Sequence, residues 1–269
     1  MNFSGRLICT LLGFLVGGPI GAAVGFVVGH FFDKAFSQFS REFDPALKEK
    51  VEATLFKTVF PLLGKLAKSD GRISEEEIGA TEQLMANMRL SQTQRQEAIN
   101  LFKQGSQADY DIHPVITQFL DVCGPYPDVK QILLVYLLSL AMADGELAEG
   151  EESLLRQIAD QLGYARPVFE QILRMAKAQH QFHGQYGGES GGATMSSADQ
   201  LANAYMALGV DGSVSDAELK KRYRKLMSEY HPDKLIGQGV PEDMVKVATE
   251  KSQEIQTAYD LIKKHRSNR

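Results

Sequence analysis

The stretch SDAELKKRYRKLMSEYHPDK, residues 215–234, decides how the C-terminal part of this chain folds. Ser215, followed three residues later by Glu218, is a capping box that opens a helix. Leu219, Tyr223, Leu226 and Tyr230 then recur at helical spacing and predict one inward face. Lys220, Lys221, Arg222, Arg224 and Lys225 are expected on the opposite side. Pro232 disfavours helical geometry at His231, so the helix should end there. Downstream, Pro241 suits a first helical turn, and a second helix is predicted to run to about Lys264. Its inward stripe is expected at Val245, Ala248, Ser252, Ile255, Ala258 or Tyr259, and Ile262. Two such helices packed antiparallel carry the tripeptide His231, Pro232, Asp233 at one end.

A His-Pro-Asp tripeptide alone arises by chance in many chains. Here it follows a basic helix and lies downstream of a short helix ending in Ala204, Tyr205, Met206, Ala207, Leu208, Gly209 and Val210. A closing Ala258, Tyr259, Leu261, Ile262 completes the pattern. From Asn203 to about Lys264 the chain therefore resembles the J domain of the DnaJ family. The resemblance implies a helical hairpin that speeds ATP hydrolysis by a DnaK-type chaperone. It also implies roles for the tip: Asp233 pairs with a basic residue of the partner, while His231 and Pro232 shape the turn. The basic helix face, Lys220, Lys221, Arg222, Arg224 and Lys225, would meet an acidic partner surface.

At 269 residues the chain has room for several domains. A net charge of −5 argues against general nucleic-acid binding. Its two cysteines, Cys9 in an apolar run and Cys123 far away, form neither a disulfide framework nor a zinc site between them. There is no nucleotide loop and no nucleophile-base pair, so neither an enzyme nor a cofactor is expected.

Leu7 to Phe32 contains no Asp, Glu, Lys or Arg, and Arg6 and Asp33-Lys34 bracket it. The run exceeds the roughly 20 residues a helix needs to span a bilayer. A cleaved signal peptide would have a shorter apolar core and a small-x-small site, whereas this run ends in the bulky pair Phe31-Phe32. Residues 7–32 are thus expected to form a transmembrane helix. Arg6 alone precedes the span, and Lys34, Arg41, Lys48 and Lys50 follow it. The positive-inside bias then predicts a periplasmic N-terminus at residues 1–6 and cytoplasmic C-terminal domains. Within the span Gly13, Gly17, Gly21, Gly25 and Gly29 recur every fourth residue. Such a ladder lets two helices approach closely in lipid and predicts a homodimer, although Pro19 should kink the helix.

Residues 44–180 read as helical throughout. Leu55, Val59, Leu62 or Leu63 and Leu66 keep helical spacing, as do Ile78, Thr81, Met85 and Met88. Ser74 with Glu77, and Ser91 with Gln94, have capping-box spacing. Ala67, Asp70, Gly71, Ile73, Glu75 and Glu77 align at one constant offset with Ala141, Asp144, Gly145, Leu147, Glu149 and Glu151. A calcium-binding EF-hand loop is not expected, because Leu66, Lys68, Leu140 and Met142 stand where its first oxygen ligands belong. From about Phe56 to Lys177 the pattern resembles the helical tellurite-resistance TerB-like domain. Asp70, Glu77, Asp144 and Glu151 are metal candidates, but carboxylates at helix starts also serve as caps favoured by the macrodipole, and that role is expected here. His180 and His183 border a glycine-rich stretch, and residues 181–197 are expected to be a flexible linker unable to hold ligands. Residues 198–269 complete the chain as the J domain.

The predicted fold is all-α: transmembrane helix, TerB-like helical domain, glycine-rich linker and J-domain hairpin. In this order the whole chain resembles the membrane-anchored DnaJ-like co-chaperones of Gram-negative bacteria. That implies a single-span protein of the inner membrane, with lipid and a cytoplasmic DnaK-type chaperone as partners and a link to envelope stress signalling. A different class of function would make the TerB-like domain a membrane-bound metal or stress sensor, with the J domain only recruiting a chaperone.

Overall fold

A computed structural model describes residues 44–267, apart from 70–78, 80, 83, 87, 89, 143–146 and 187–196. The expected membrane span and its glycine ladder lie outside the described residues. Among the described residues no helix is long and apolar enough to cross a membrane. Their regular structure is helical throughout, as the periodicity predicts.

The first half is built on α1 (Pro45–Ala67), whose Val51, Leu55, Val59, Leu62 and Leu66 are buried. They recur at three and four residues, so one face meets α2 (Gln92–Gly105) and α3 (His113–Cys123). The capping box predicted at Ser91 is present: the Gln94 amide donates to Ser91 Oγ at 3.3 Å, and the Ser91 amide to Gln94 Oε1 at 3.0 Å. Ser74 lies outside the described residues.

At the centre is α4 (Pro127–Ala141). Every residue from Ile132 to Leu138 is buried, which requires protein on all sides of the helix. α1, α3, α5 (Glu149–Gln161) and α6 (Arg166–Tyr186) supply most of that cover. Arg156 fastens α5 to α6 by donating from Nε and Nη2 to Glu170 at 3.2 and 3.0 Å. Lys177 reaches Glu152 at 3.1 Å, and that hydrogen bond is the main influence holding the Glu152 carboxyl below its usual range.

Further along the chain are α7 (Ser197–Ala207), α8 (Asp216–Glu229), α9 (Pro232–Gly237) and α10 (Glu242–Ser267). The inward stripe expected of α10 is observed: Val245, Ala248, Ser252, Ile255, Ala258 and Ile262 are buried. Three expectations need correction. The helix expected from Pro241 starts at Glu242 and continues to Ser267. α6 runs on to Tyr186, so His180, His183 and the first residues assigned to the linker have helical backbone. Pro232 ends α8 but also starts α9, since a proline at the first helical position sacrifices no hydrogen bond.

Residues Pro45–Arg269 form one compact unit. α7 packs on α6, and α10 packs on both α4 and α6. The missing side of α4 is therefore covered by the C-terminal helices. Tyr136, in mid-α4, hydrogen-bonds through its hydroxyl to Asp243 of α10. Burial and the neighbouring Asp243 carboxylate push that hydroxyl well above its ordinary titration range, which keeps it a donor.

Candidate functional site

The site is assembled from the start of α8 onward. Ser215 Oγ accepts from the Glu218 amide at 3.3 Å, and Glu218 Oε2 accepts from the Ser215 amide at 3.3 Å. The Ser215 hydroxyl and amide hold the exposed Glu218 carboxyl below its usual range. Leu219, Leu226 and Tyr230 are buried, and Tyr223 lies half-buried beside them. The Tyr223 ring stacks on Tyr259 of α10 at 4.2 Å, and its hydroxyl hydrogen-bonds to Gln256. This inward face sets the rotation of α8 and turns Lys220, Lys221, Arg224 and Lys225 to solvent.

Arg222 does not join them. Its Nε donates to the Leu208 carbonyl at 3.0 Å, just past α7, and Nη2 lies 3.4 Å from Met175 Sδ of α6. A guanidinium is favoured beside the carbonyl end of a helix. The signal was in the spacing: Arg222 stands three residues after Leu219 and four before Leu226, within the inward stripe.

The tip follows. The Tyr230 amide donates to the Leu226 carbonyl at 3.0 Å, closing α8. His231 is extended, with φ −67° and ψ 119°, as a residue before proline must be. It also caps α9, its carbonyl accepting from the Leu235 amide at 3.2 Å. Leu235 is wholly buried and anchors α9, while His231 and Asp233 are exposed and Pro232 is half-buried. The Ser252 hydroxyl of α10 lies 2.9 Å from the Tyr230 carbonyl and 3.0 Å from the Ala248 carbonyl of its own helix, so its one proton is shared between α10 and the last residue before the tripeptide. The tripeptide thus combines an immobilised backbone with two polar side chains in solvent, an arrangement suited to docking another protein. Sequence reading put Ser252 on the inward face but missed this bond, since nothing local to either residue announces it.

Of the four metal candidates only Glu151 lies among the described residues. Asp70, Glu77 and Asp144 lie outside them. Glu151 accepts from the Ala148 amide at 3.0 Å, the capping role expected of it. No group of three or more His, Cys, Asp or Glu residues that could hold a metal occurs among the described residues. Cys123 is buried and free, and burial pushes its thiol up to about 12.

Comparison with known proteins gives three family matches covering most of the chain. Residues 1–46 match the co-chaperone DjlA transmembrane domain, residues 56–174 the tellurite resistance protein TerB, and residues 203–269 the DnaJ domain. Co-chaperone protein DjlA of Escherichia coli strain K12 is 38% identical over 270 residues, covering 99% of each chain. The same-named proteins of Haemophilus influenzae and Photobacterium profundum are 37% and 36% identical, each over 97% of this chain and 98% of their own. No solved structure matches the chain. The three matches follow one another along this chain as transmembrane domain, TerB and DnaJ domain. With identity above one third over nearly the full length, the chain belongs to the membrane-anchored J-domain co-chaperone family DjlA.

Proposed function

We propose that this protein stimulates ATP hydrolysis by a cytoplasmic DnaK-type chaperone through His231, Pro232 and Asp233, from a single span in the inner membrane. The observation that carries this reading is the fixed, open tip. Its backbone is tied by Ser252 and Leu235, while His231, Asp233, Lys220, Lys221, Arg224 and Lys225 remain in solvent. Asp233 would pair with a basic residue of the partner, and the four basic side chains would face an acidic surface. The ATP is hydrolysed on the partner, so the chain itself catalyses no step. The span would also hold two copies together through Gly13, Gly17, Gly21, Gly25 and Gly29, which supports a homodimer in lipid.

The direct test uses the full-length protein in detergent with a DnaK-type chaperone and ATP. Wild type should raise the turnover, and His231→Gln should return it to that of the chaperone alone. An exposed tip residue contributes little to folding, so the helical circular dichroism of the variant should be unchanged. Equal stimulation by the variant and wild type would overturn the assignment of the tip.

A further inference from the structure

We propose that Asp128, in the TerB-like half, is a positioning residue for the chaperone-activating tip, acting through Lys234 and the helix that follows the tripeptide. This rests on the co-chaperone function proposed above. Lys234 directly follows Asp233, yet its ammonium turns to Asp128, with Nζ 2.7 Å from Oδ2. The two side chains retain only 26% and 14% of their exposure, so the pair is partly desolvated and its charge-assisted hydrogen bond is strong. Gln238, one helical turn beyond Lys234, directs Nε2 to the same carboxylate oxygen at 3.4 Å. One carboxylate therefore holds both ends of one face of α9.

The other side of the tripeptide is held from the same surface. Gln131 lies three residues after Asp128 on α4, which puts both on one helix face. Its Nε2 donates to Tyr230 Oη at 3.0 Å and to Glu229 Oε2 at 3.3 Å. Asp128 and Gln131 thus bracket His231-Pro232-Asp233, gripping residues immediately before and after it. Their support is the start of α4, which runs directly into residues 132–138, buried at every position. Asp128 is also in the first turn of α4, where the helix dipole favours a carboxylate.

Backbone geometry matches this seat. Gly239, just after α9, has φ +78°, and a Cβ there would lie 2.5 Å from the Lys48 carbonyl oxygen of α1. Only glycine lets the loop lie that close in that conformation. The grip leaves His231 and Asp233 exposed, so a docked tip is still open to a partner. With Lys234 committed to Asp128, the tip meets the chaperone already ordered, and ordering costs less of the binding energy.

The experiment titrates the full-length protein in detergent against a DnaK-type chaperone and follows ATP turnover. Asp128→Asn should raise the concentration giving half-maximal stimulation by roughly threefold to tenfold, as expected for one charge-assisted bond, and leave the maximum unchanged. Asp128→Glu, which keeps the charge, should recover most of the loss. In Asp128→Asn, amide hydrogen exchange should quicken over residues 231–240 while the buried core of α10 stays protected. An unchanged half-maximal concentration, a lowered maximum alone, or stimulation better than wild type would each overturn the inference. The last outcome would mean that the TerB-like half restrains the tip. If wild type itself gives no stimulation, the co-chaperone function falls as well; if only the variant matches wild type, this inference alone falls.

Discussion

Tyr230 shows how single side chains divide the work around the tripeptide. Its ring is buried, burial pushes the hydroxyl up to about 12, and the neutral oxygen accepts from Gln131. One residue further on, His231 is in solvent. Among the basic residues of α8 the division is equally sharp. Arg222 is spent on the end of α7, which leaves Lys220, Lys221, Arg224 and Lys225 available to a partner. Lys225 also lies 3.7 Å from Glu229, so part of its charge is offset locally. Lys221 likewise faces the Glu218 carboxylate, so Lys220 and Arg224 should steer association most. Replacing both by Glu should slow binding to the chaperone roughly tenfold at low salt, chiefly in the association rate. The wild-type rate should also fall as salt is added. Stopped-flow association measured across a salt series checks this; a rate indifferent to salt would make these charges merely solvated. Four of the five residues expected on the basic face are exposed as the sequence suggested, but the separate use of Arg222 needed closer attention to its place between Leu219 and Leu226.

Among the elements, those with local signals were read correctly. Capping boxes at Ser91 and Ser215 sit at the starts of α2 and α8, and the stripe from Val245 to Ile262 faces inward. Each depends only on residues within a turn or two of one another. α9 has a weaker local signal, because Pro232 marks the end of α8 while Pro232 and Asp233 also make a normal helix start. α6 outlasted its expected end because the glycine content that marks a linker overlaps its last turn. The proposed membrane span lies outside the described residues, and its glycine ladder makes a definite prediction. Replacing Gly17, Gly21 and Gly25 by Leu keeps the span apolar and long enough to insert but fills the groove that lets two backbones meet. Self-association in a membrane two-hybrid assay should drop to background while stimulation of the chaperone by the detergent-solubilised variant persists. Undiminished self-association would remove the ladder from the dimer contact.

For the molecule as a whole, function requires the J domain and its partner on the same side of the membrane. The basic residues Lys34, Arg41, Lys48 and Lys50 after the span, against Arg6 before it, favour a cytoplasmic C-terminus. A reporter fused after Arg269 should be active only if the C-terminus is cytoplasmic, and the protein should stay in the membrane through carbonate extraction. A periplasmic reporter signal would reverse the topology and leave the tip without access to a cytoplasmic chaperone.

The sequence by itself determined the all-α class, the helical hairpin with the tripeptide at its end, the apolar N-terminal run and the kinship with J domains. The class and the hairpin rest on periodicity, capping and proline chemistry, which act between near neighbours and leave a local imprint. The kinship rests on the resemblance of the quoted motifs, and the apolar run on its length. Only the tertiary structure decided that the two halves join as one unit rather than hanging from a free linker. It did so through Tyr136 with Asp243, Gln131 with Tyr230, and Asp128 with Lys234. The first two pairs are separated by 107 and 99 residues, and each involves polar groups that would be equally at home in water. Their meeting depends on two surfaces matching in shape and charge after each has folded. No spacing within either segment encodes that match, so the support of the tip by α4 became visible only once the helices were packed.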